Sequence, residues 1–409
     1  MQNFNKEKDK AVKLYTQMIV EYEENYKNEL THFKKHYKIK EKEITGTKQY
    51  LKPDCLNMED KDEFIFHTVK NKFIGKDTAL FEEHYLVISG IHIDFNKFVN
   101  CDFRNVVFKN CTLAGNKFVN CLFRDVIFDN CRFSRHISHS DVLKDIKLFT
   151  SIFDECTITA KFKETYLEGC AFNASAIILT DYNNTDLQGT LFLDTTLFTV
   201  KITDCDLRDS KFVKIRCNQE FVIEDDQLTT KFNENTFIGP LKTKENDDDT
   251  YRIYKTFAEQ FKKNVFLEHY GEYFYLYNKY KIKELSGFKK IYSFFVWSTI
   301  GFGERITHAV IFSIVVILIW SFLFSLSGIR VDEKFFCLRP TFIISDMLSL
   351  KEVWNIYIQI INYSFTNFFG ISINADLSGM ALLFSYVQKV IGLVMFSLFT
   401  SVLIRKMIR

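Results

Sequence analysis

Hydrophobic positions change period twice along this chain, and each period predicts a different kind of element. Over residues 6–44 apolar side chains recur at steps of three and four: Val12, Tyr15, Met18, Tyr22, Tyr26, Leu30, Phe33 and Tyr37. That spacing predicts one long charged helix with a single apolar stripe. The stripe has two readings. It caps the open end of whatever follows, or it is the face through which subunits associate.

From Leu86 the period is five. The stretch "NKFVN CDFRN VVFKN CTLAG NKFVN CLFRD VIFDN CRFSR" (Asn96–Arg135) is eight consecutive units, each centred on Phe or Leu. The centres run from Ile88 to Ile158 with one non-apolar member, Ser138. The phase then slips by one residue and resumes from Phe162 to Phe212, for 26 units in all. Neither a helix nor a strand has a period of five. A coil does, if each unit is one short side ending in a turn with its central residue pointing inward. The position two before the centre is often small. Cys101, Cys111, Cys121, Cys131, Cys156, Cys170 and Cys205 all occupy it, so 7 of the 10 cysteines read as buried core rather than as disulfides.

Beyond residue 305 the pattern becomes two apolar runs. Ile306–Leu326 holds 21 residues without a charge, and Met380–Ile404 carries only Lys389. At ~1.5 Å per residue each run is long enough to cross a bilayer. Lysines 279, 281, 283, 289 and 290 precede the first run, and Arg405, Lys406 and Arg409 end the second. Basic flanks of this kind place both ends in the cytoplasm, so the expected topology is a multi-pass hairpin in the plasma membrane with residues 328–378 outside. Between the runs lies "WNIYIQIINYSFTNFFGISIN" (Trp354–Asn374), interrupted by Asn355, Gln359, Asn362, Ser364, Thr366 and Asn367. A third crossing would carry the basic C-terminus outside, so a re-entrant helix is expected there. The opening "MQNFNKEKDKAVKLY" has no basic-then-apolar leader, which keeps residues 1–305 cytoplasmic.

The expected organisation is a helical cap or association region (1–85), the coil (86–217), a connection with the acidic linker "KTKENDDDT" (218–250), a cytoplasmic helical hairpin with the segment that enters the membrane (251–305), and the two-span region (306–409).

The five-residue units resemble the pentapeptide-repeat family. The resemblance implies a square, right-handed β-helix with four units per coil. On that basis the units stack into about 6.5 coils, roughly 31 Å at ~4.8 Å per layer. Some members of the family mimic DNA, which requires an acidic surface. Between Leu86 and Cys217 there are 16 Lys plus Arg and 16 Asp plus Glu, so a nucleic-acid role is not expected and a rigid spacer or docking surface is.

The sequence span, re-entrant helix, glycine-containing turn, span resembles the two-span pore module of the potassium-channel superfamily, over about Arg252–Met407. That resemblance implies a homotetramer passing inorganic ions; the sequence does not name the gating signal, which is a small ligand, a protein partner or membrane tension. The string "STIGFGER" is close to the superfamily's T-x-G-[YF]-G-[DE] filter but precedes the first span. It also resembles the G-[YF]-G-E element that repeat-linked pores carry there. Gly301, Gly303, Glu304 and Arg305 therefore read as a tight turn where the chain enters the bilayer. In the filter's place stands "SFTNFFGISIN", with Ser364, Thr366, Asn367, Phe368, Phe369, Gly370 and Ser372 as candidates. It holds one glycine where alternating glycines are needed to turn carbonyls inward, so weak or altered selectivity is expected. On the inner helix, Gly392 is a candidate bend. Lys389 either disfavours cations in the pore or snorkels to the outer interface beside Asp376.

Two functions of different class follow: an ion-conducting pore with a cytoplasmic repeat assembly, and a non-conducting membrane-anchored scaffold. The overall expected class is mixed, a β-helix with flanking helices plus an all-α transmembrane hairpin. No P-loop, nucleophile elbow, metal-spaced His/Cys set or paired buried carboxylates is present, so neither an enzyme, a cofactor nor a metal is expected. The "HISH" at His136–His139 reads as loop rather than ligands.

Overall fold

The structure, a computed structural model, describes residues 4–36, 41–45, 64–77, 81–138, 146–217, 220–226, 229–239, 250–331, 334–338, 350–371, 375–377 and 379–408. Ser372, His139, Tyr37 and linker residues 242–249 lie outside them. Contacts divide the chain into two units, Met1–Tyr277 and Asn278–Arg409.

In the first unit the five-residue period becomes a coil because most units end in a left-handed corner. The residue two after most centres has positive φ: Asn100 (54°), Asn105 (49°), Asn110 (54°), Asn120 (50°) and Asn130 (50°), with Gly115, Gly169 and Gly189 at equivalent places. Asn and Gly tolerate that conformation at least cost. The corner amides also bond along the stack, Asn120 Nδ2 to Asn100 Oδ1 at 2.8 Å and Asn130 Nδ2 to Asn110 Oδ1 at 2.9 Å. Leu179 (49°) and Thr199 (54°) occupy the same corners without either advantage.

Successive coils pair in parallel, twenty residues apart: Lys97 with Lys117, Phe98 with Phe118, Leu191 with Lys211. One flank is a nine-stranded sheet running from Lys42–Thr45 through Lys97–Val99 and Ala171–Asn173 to Phe237–Ile238. Its eight spacings of ~4.8 Å make the stack ~38 Å long. The ladder thus starts before Leu86 and continues past Cys217, and residues 42–45 are strand where the helical stripe was expected to continue.

Inward, the centres stack as rings. Phe98, Phe118, Phe153, Phe172, Phe192 and Phe212 form one ladder with centroids 4.6–5.1 Å apart and planes within 12°. The layer spacing dictates this near-parallel stacking, since an edge-to-face ring would not fit within one layer. The position two before the centre is more than small. Its thiol or hydroxyl donates to a carbonyl of the preceding coil: Cys131 Sγ to Phe108 O at 3.1 Å, Thr185 Oγ1 to Phe162 O at 3.2 Å, Thr190 Oγ1 to Leu167 O at 2.9 Å. A buried carbonyl left without a donor is costly, so Cys, Ser and Thr interchange at many of these sites, while Val106, Val126 and Val200 fill others without donating. All nine described cysteines are free and buried.

The phase slip is real. Ile158 pairs Ile177 and Lys161 pairs Asp181, with a register shift between them. The unbroken phase before it hides an insertion. Lys117 pairs Ile152, thirty-five residues on instead of twenty, and within that longer coil Ser134–Ser138 pairs antiparallel with Ile146–Thr150. Ser138 and Leu148 therefore belong to that hairpin rather than to coil sides, and His136 lies on a strand, not a loop.

Helix α1 (Phe4–His36) lies lengthwise on the flank. Ala11 packs with Leu191, Leu193 and Val213, while Tyr26 and Leu30 pack on Phe66, Phe95 and Phe149. The nineteen residues between Ala11 and Leu30 cover ~28 Å at ~1.5 Å each, matching about six layers. Much of the stripe, from Ala11 and Tyr15 to Tyr26 and Leu30, thus packs along the side of the chain's own coil rather than over its end. The C-terminal end is closed instead by α2 (Thr250–Lys263) and α3 (Leu267–Lys281). Phe257 meets Phe212 and Phe221, and the Tyr273 hydroxyl donates to Ile238 O at 2.6 Å.

The second unit contains α4 (Gly287–Ile300), α5 (Ile306–Ser327), α6 (Leu350–Phe368) and α7 (Met380–Ile408). A three-stranded sheet of Ile329–Val331, Lys334–Phe336 and Ala375–Asp376 ties the segments between α5 and α7.

Candidate functional site

Helices α5 and α7 are long and apolar enough to cross a membrane: 18-residue stretches within Ile306–Ser327 and Met380–Met407 have mean hydropathy 2.7 and 1.9. They are the two such helices among the described residues. Helix α6 packs against both, and polar side chains hold it there. Ser364 Oγ donates to Ile317 O of α5 at 2.8 Å. Gln388 Nε2 of α7 donates to Ser364 Oγ at 2.7 Å and to Ser364 O at 3.1 Å. Asn367 Nδ2 donates to Gln388 Oε1 at 2.8 Å and to Ser385 O at 3.1 Å, while Ser385 Oγ returns a bond to Asn367 Oδ1 at 2.8 Å. Ser364, Asn367, Ser385 and Gln388 are all buried. Every polar group in this network finds a partner within one chain, as an apolar surrounding demands.

This arrangement revises the filter candidates. Ser364, Thr366, Asn367 and Phe368 are helical, and their carbonyls point along α6 instead of around an axis. Thr366 Oγ1 donates back to Asn362 O at 3.0 Å. Gly370, at φ 70°, ends the helix: Ile371 N donates to Thr366 O and Gly370 N to Asn367 O. Those two bonds are the Schellman pattern of a glycine C-cap, which gives the single glycine a structural reason. Phe368 is buried against Val316, Ile317 and Met395, and Phe369 is exposed.

Gly392 is a contact point rather than a bend. Helix α7 is continuous through it. A Cβ there would stand 1.9 Å from Phe368 O and 2.9 Å from Phe368 C, so the glycine lets the last turn of α6 rest on α7. Sequence reading overlooked Ser385 and Gln388, although two polar residues three apart inside an apolar run are a signal of helix contact. Lys389 is exposed, one turn after Ser385 and at the edge of the buried face of α7, beside the exposed Tyr386, Leu393 and Phe396.

The "GFGE" element is a left-handed turn joining α4 to α5. Gly301, Phe302 and Gly303 have φ of 53°, 57° and 78°. Gly301 N donates to Trp297 O, capping α4. The turn delivers Glu304, whose carboxylate is 4% exposed, to Arg405 Nη2 at 3.0 Å. A Cβ on Gly303 would meet Arg405 Nη1 at 3.1 Å, so the glycine also clears the guanidinium's approach. Arg305 precedes α5 as its N-cap residue, and its Cβ lies where a side chain on Gly301 would go. The start of α5 and the last turns of α7 are thereby tied together.

Within the coil, burial pushes the thiols of Cys170 and Cys205 up to about 12. No cluster able to hold a metal occurs among the described residues.

Residues 98–138 match the family described as pentapeptide repeats (9 copies). No curated protein matches the chain. Among solved structures, HetL, a pentapeptide repeat protein involved in heterocyst differentiation regulation from the cyanobacterium Nostoc sp. strain PCC 7120, is 10% identical with a TM-score of 0.23. It aligns over 38% of this chain and 57% of HetL. A trypsin-treated form of QnrB1, a plasmid-mediated fluoroquinolone resistance protein, is 16% identical over 38% of this chain and 77% of that one, with a TM-score of 0.20. Full-length QnrB1 is 12% identical over 47% and 92%, with a TM-score of 0.14. The family match, the five-residue corners and the twenty-residue register agree: the chain carries a pentapeptide-repeat β-helix, flanked by helices.

Proposed function

We propose that the chain is a non-enzymatic, membrane-anchored pentapeptide-repeat scaffold, with the coil presented at the cytoplasmic face and α5 and α7 crossing the plasma membrane. The observation that carries this reading is the division of polarity in the second unit. Ser364 and Asn367 of α6 bond with Ser385 and Gln388 of α7 inside, while the exposed residues of α5 from Val310 to Leu326 are apolar and those of α7 from Met380 to Phe396 are apolar but for Lys389, as lipid requires. The coil supplies a rigid stack of rungs and no reacting group. The test is alkaline carbonate extraction of membranes from cells expressing the full chain, with reporters fused at the C-terminus. A chain that washes off, or a C-terminus outside, removes the anchor.

A second reading is favoured by Lys389. A lysine on a lipid-facing helix centre costs ~2.5–3.5 kcal/mol, whereas a water path on an oligomer axis would host it. On that reading several copies, four by the pore resemblance, surround a path for inorganic ions with the α7 face inward. Liposomes holding the purified protein would then leak ions faster than empty ones, and Lys389→Gln would shift the reversal potential under asymmetric salt. Flux equal to that of empty liposomes leaves the scaffold alone.

A further inference from the structure

Helix α4 carries a surface that none of the roles above uses. Phe288, Ile291, Tyr292 and Phe295 recur at i, i+3, i+4 and i+7, so they share one face, and they are 80%, 68%, 61% and 54% exposed. Lys289 and Lys290 lie away from that face, and both are exposed. Upstream, Lys279 and Lys281 end α3 and Lys283 follows it. From Lys279 to Lys290 there are five lysines against one acid, Glu284. The C-terminal half of α4 leans on the start of α5: Phe295 meets Phe312 at 6.0 Å and Trp297 meets His308 at 5.3 Å. An apolar face and a lysine cluster thus stand beside the end of a candidate span.

We propose that α4 is an interfacial helix that binds anionic lipid. It lies in the plane of the cytoplasmic leaflet, with Phe288, Ile291, Tyr292 and Phe295 at the acyl boundary and the lysines on phosphate headgroups. This rests on the anchored reading above. The charge commits the surface to lipid of negative charge: an apolar helix face alone would suit any bilayer or another protein, whereas the lysine excess selects an anionic headgroup. At a bilayer surface a lysine's long stem lets its ammonium group reach the headgroups while the apolar face of the helix meets the acyl boundary.

The experiment uses the full chain in nanodiscs of phosphatidylcholine alone or mixed with phosphatidylglycerol, read by hydrogen exchange of residues 286–296. Exchange of the repeat coil is the internal control for folding. Protection is expected to rise about tenfold or more in the anionic discs, to fall with added salt, and to vanish when the five lysines become Gln. Ile291→Ser with Tyr292→Ser is expected to lose protection in both lipids. Equal protection in the two lipids, or an anionic gain that survives the Gln variant, overturns the proposal. So does protection that follows the number of chains per disc, which would mean a second copy covers α4, or protection reproduced by soluble glycerol phosphate. A chain that fails to enter discs at all refutes the anchor itself, which separates the two failures.

Discussion

Replacing Gly392 by alanine would put a methyl carbon 1.9 Å from Phe368 O, where an ordinary carbon–oxygen contact is ~3.3 Å. The last turn of α6 would have to withdraw by ~1.4 Å. Asn367 and Ser364 sit in that turn and the one before it, so the withdrawal pulls on their bonds to Ser385 and Gln388. Overpacking of this size costs ~1–3 kcal/mol, and each interhelical hydrogen bond weakened adds up to ~0.6–1.7 kcal/mol. The opposing gain from alanine's helix propensity is ~1 kcal/mol. The expected net result is a loss of ~1–3 kcal/mol. All 3 tryptophans (Trp297, Trp320 and Trp354) lie in the second unit, so tryptophan fluorescence during denaturation in detergent reports that unit alone. The sign decides the matter. A glycine serving only as a bend in an open helix face would give a stabilised alanine variant, and a rise of ~1 kcal/mol would refute the packing argument.

Tyr182 stacks on Phe162 at 4.8 Å, but its buried hydroxyl has no partner among the described residues. Tyr182→Phe is therefore expected to stabilise the coil by ~1–3 kcal/mol in urea denaturation followed by far-ultraviolet circular dichroism, and a destabilised variant would show the hydroxyl is bonded. The Cys170 and Cys205 thiols are expected to resist alkylation of the native protein at pH 8 and to react once it is unfolded. Burial holds Cys170 and Cys205 protonated until pH nears 12, so rapid native labelling at those two sites, read by peptide mass spectrometry, would contradict the core assignment.

The repeat was legible in the sequence because each rung of the coil must place an apolar side chain at the same point, and that constraint prints a period of five whatever the residues around it. The one-residue slip near Ile158 printed itself for the same reason. The inserted hairpin did not, because fifteen residues are three whole units and leave the phase unbroken. Nor did the donor at the position two before the centre, since cysteine looks like a small apolar residue until its thiol is seen on the carbonyl below.

In the second unit, composition determined two apolar runs and a polar helix between them. What those polar residues do depended on partners that sequence spacing does not specify. Ser364 and Asn367 meet Gln388 and Ser385 across a helix interface, Gly370 ends a helix, and Gly392 accepts the backbone of α6. Local periodicity records which side of an element is buried, because burial repeats with the element's own geometry. Which element lies on that side, as with α1 along the coil and α6 against α7, is fixed by contacts between residues far apart in the chain, and tertiary structure alone decides it.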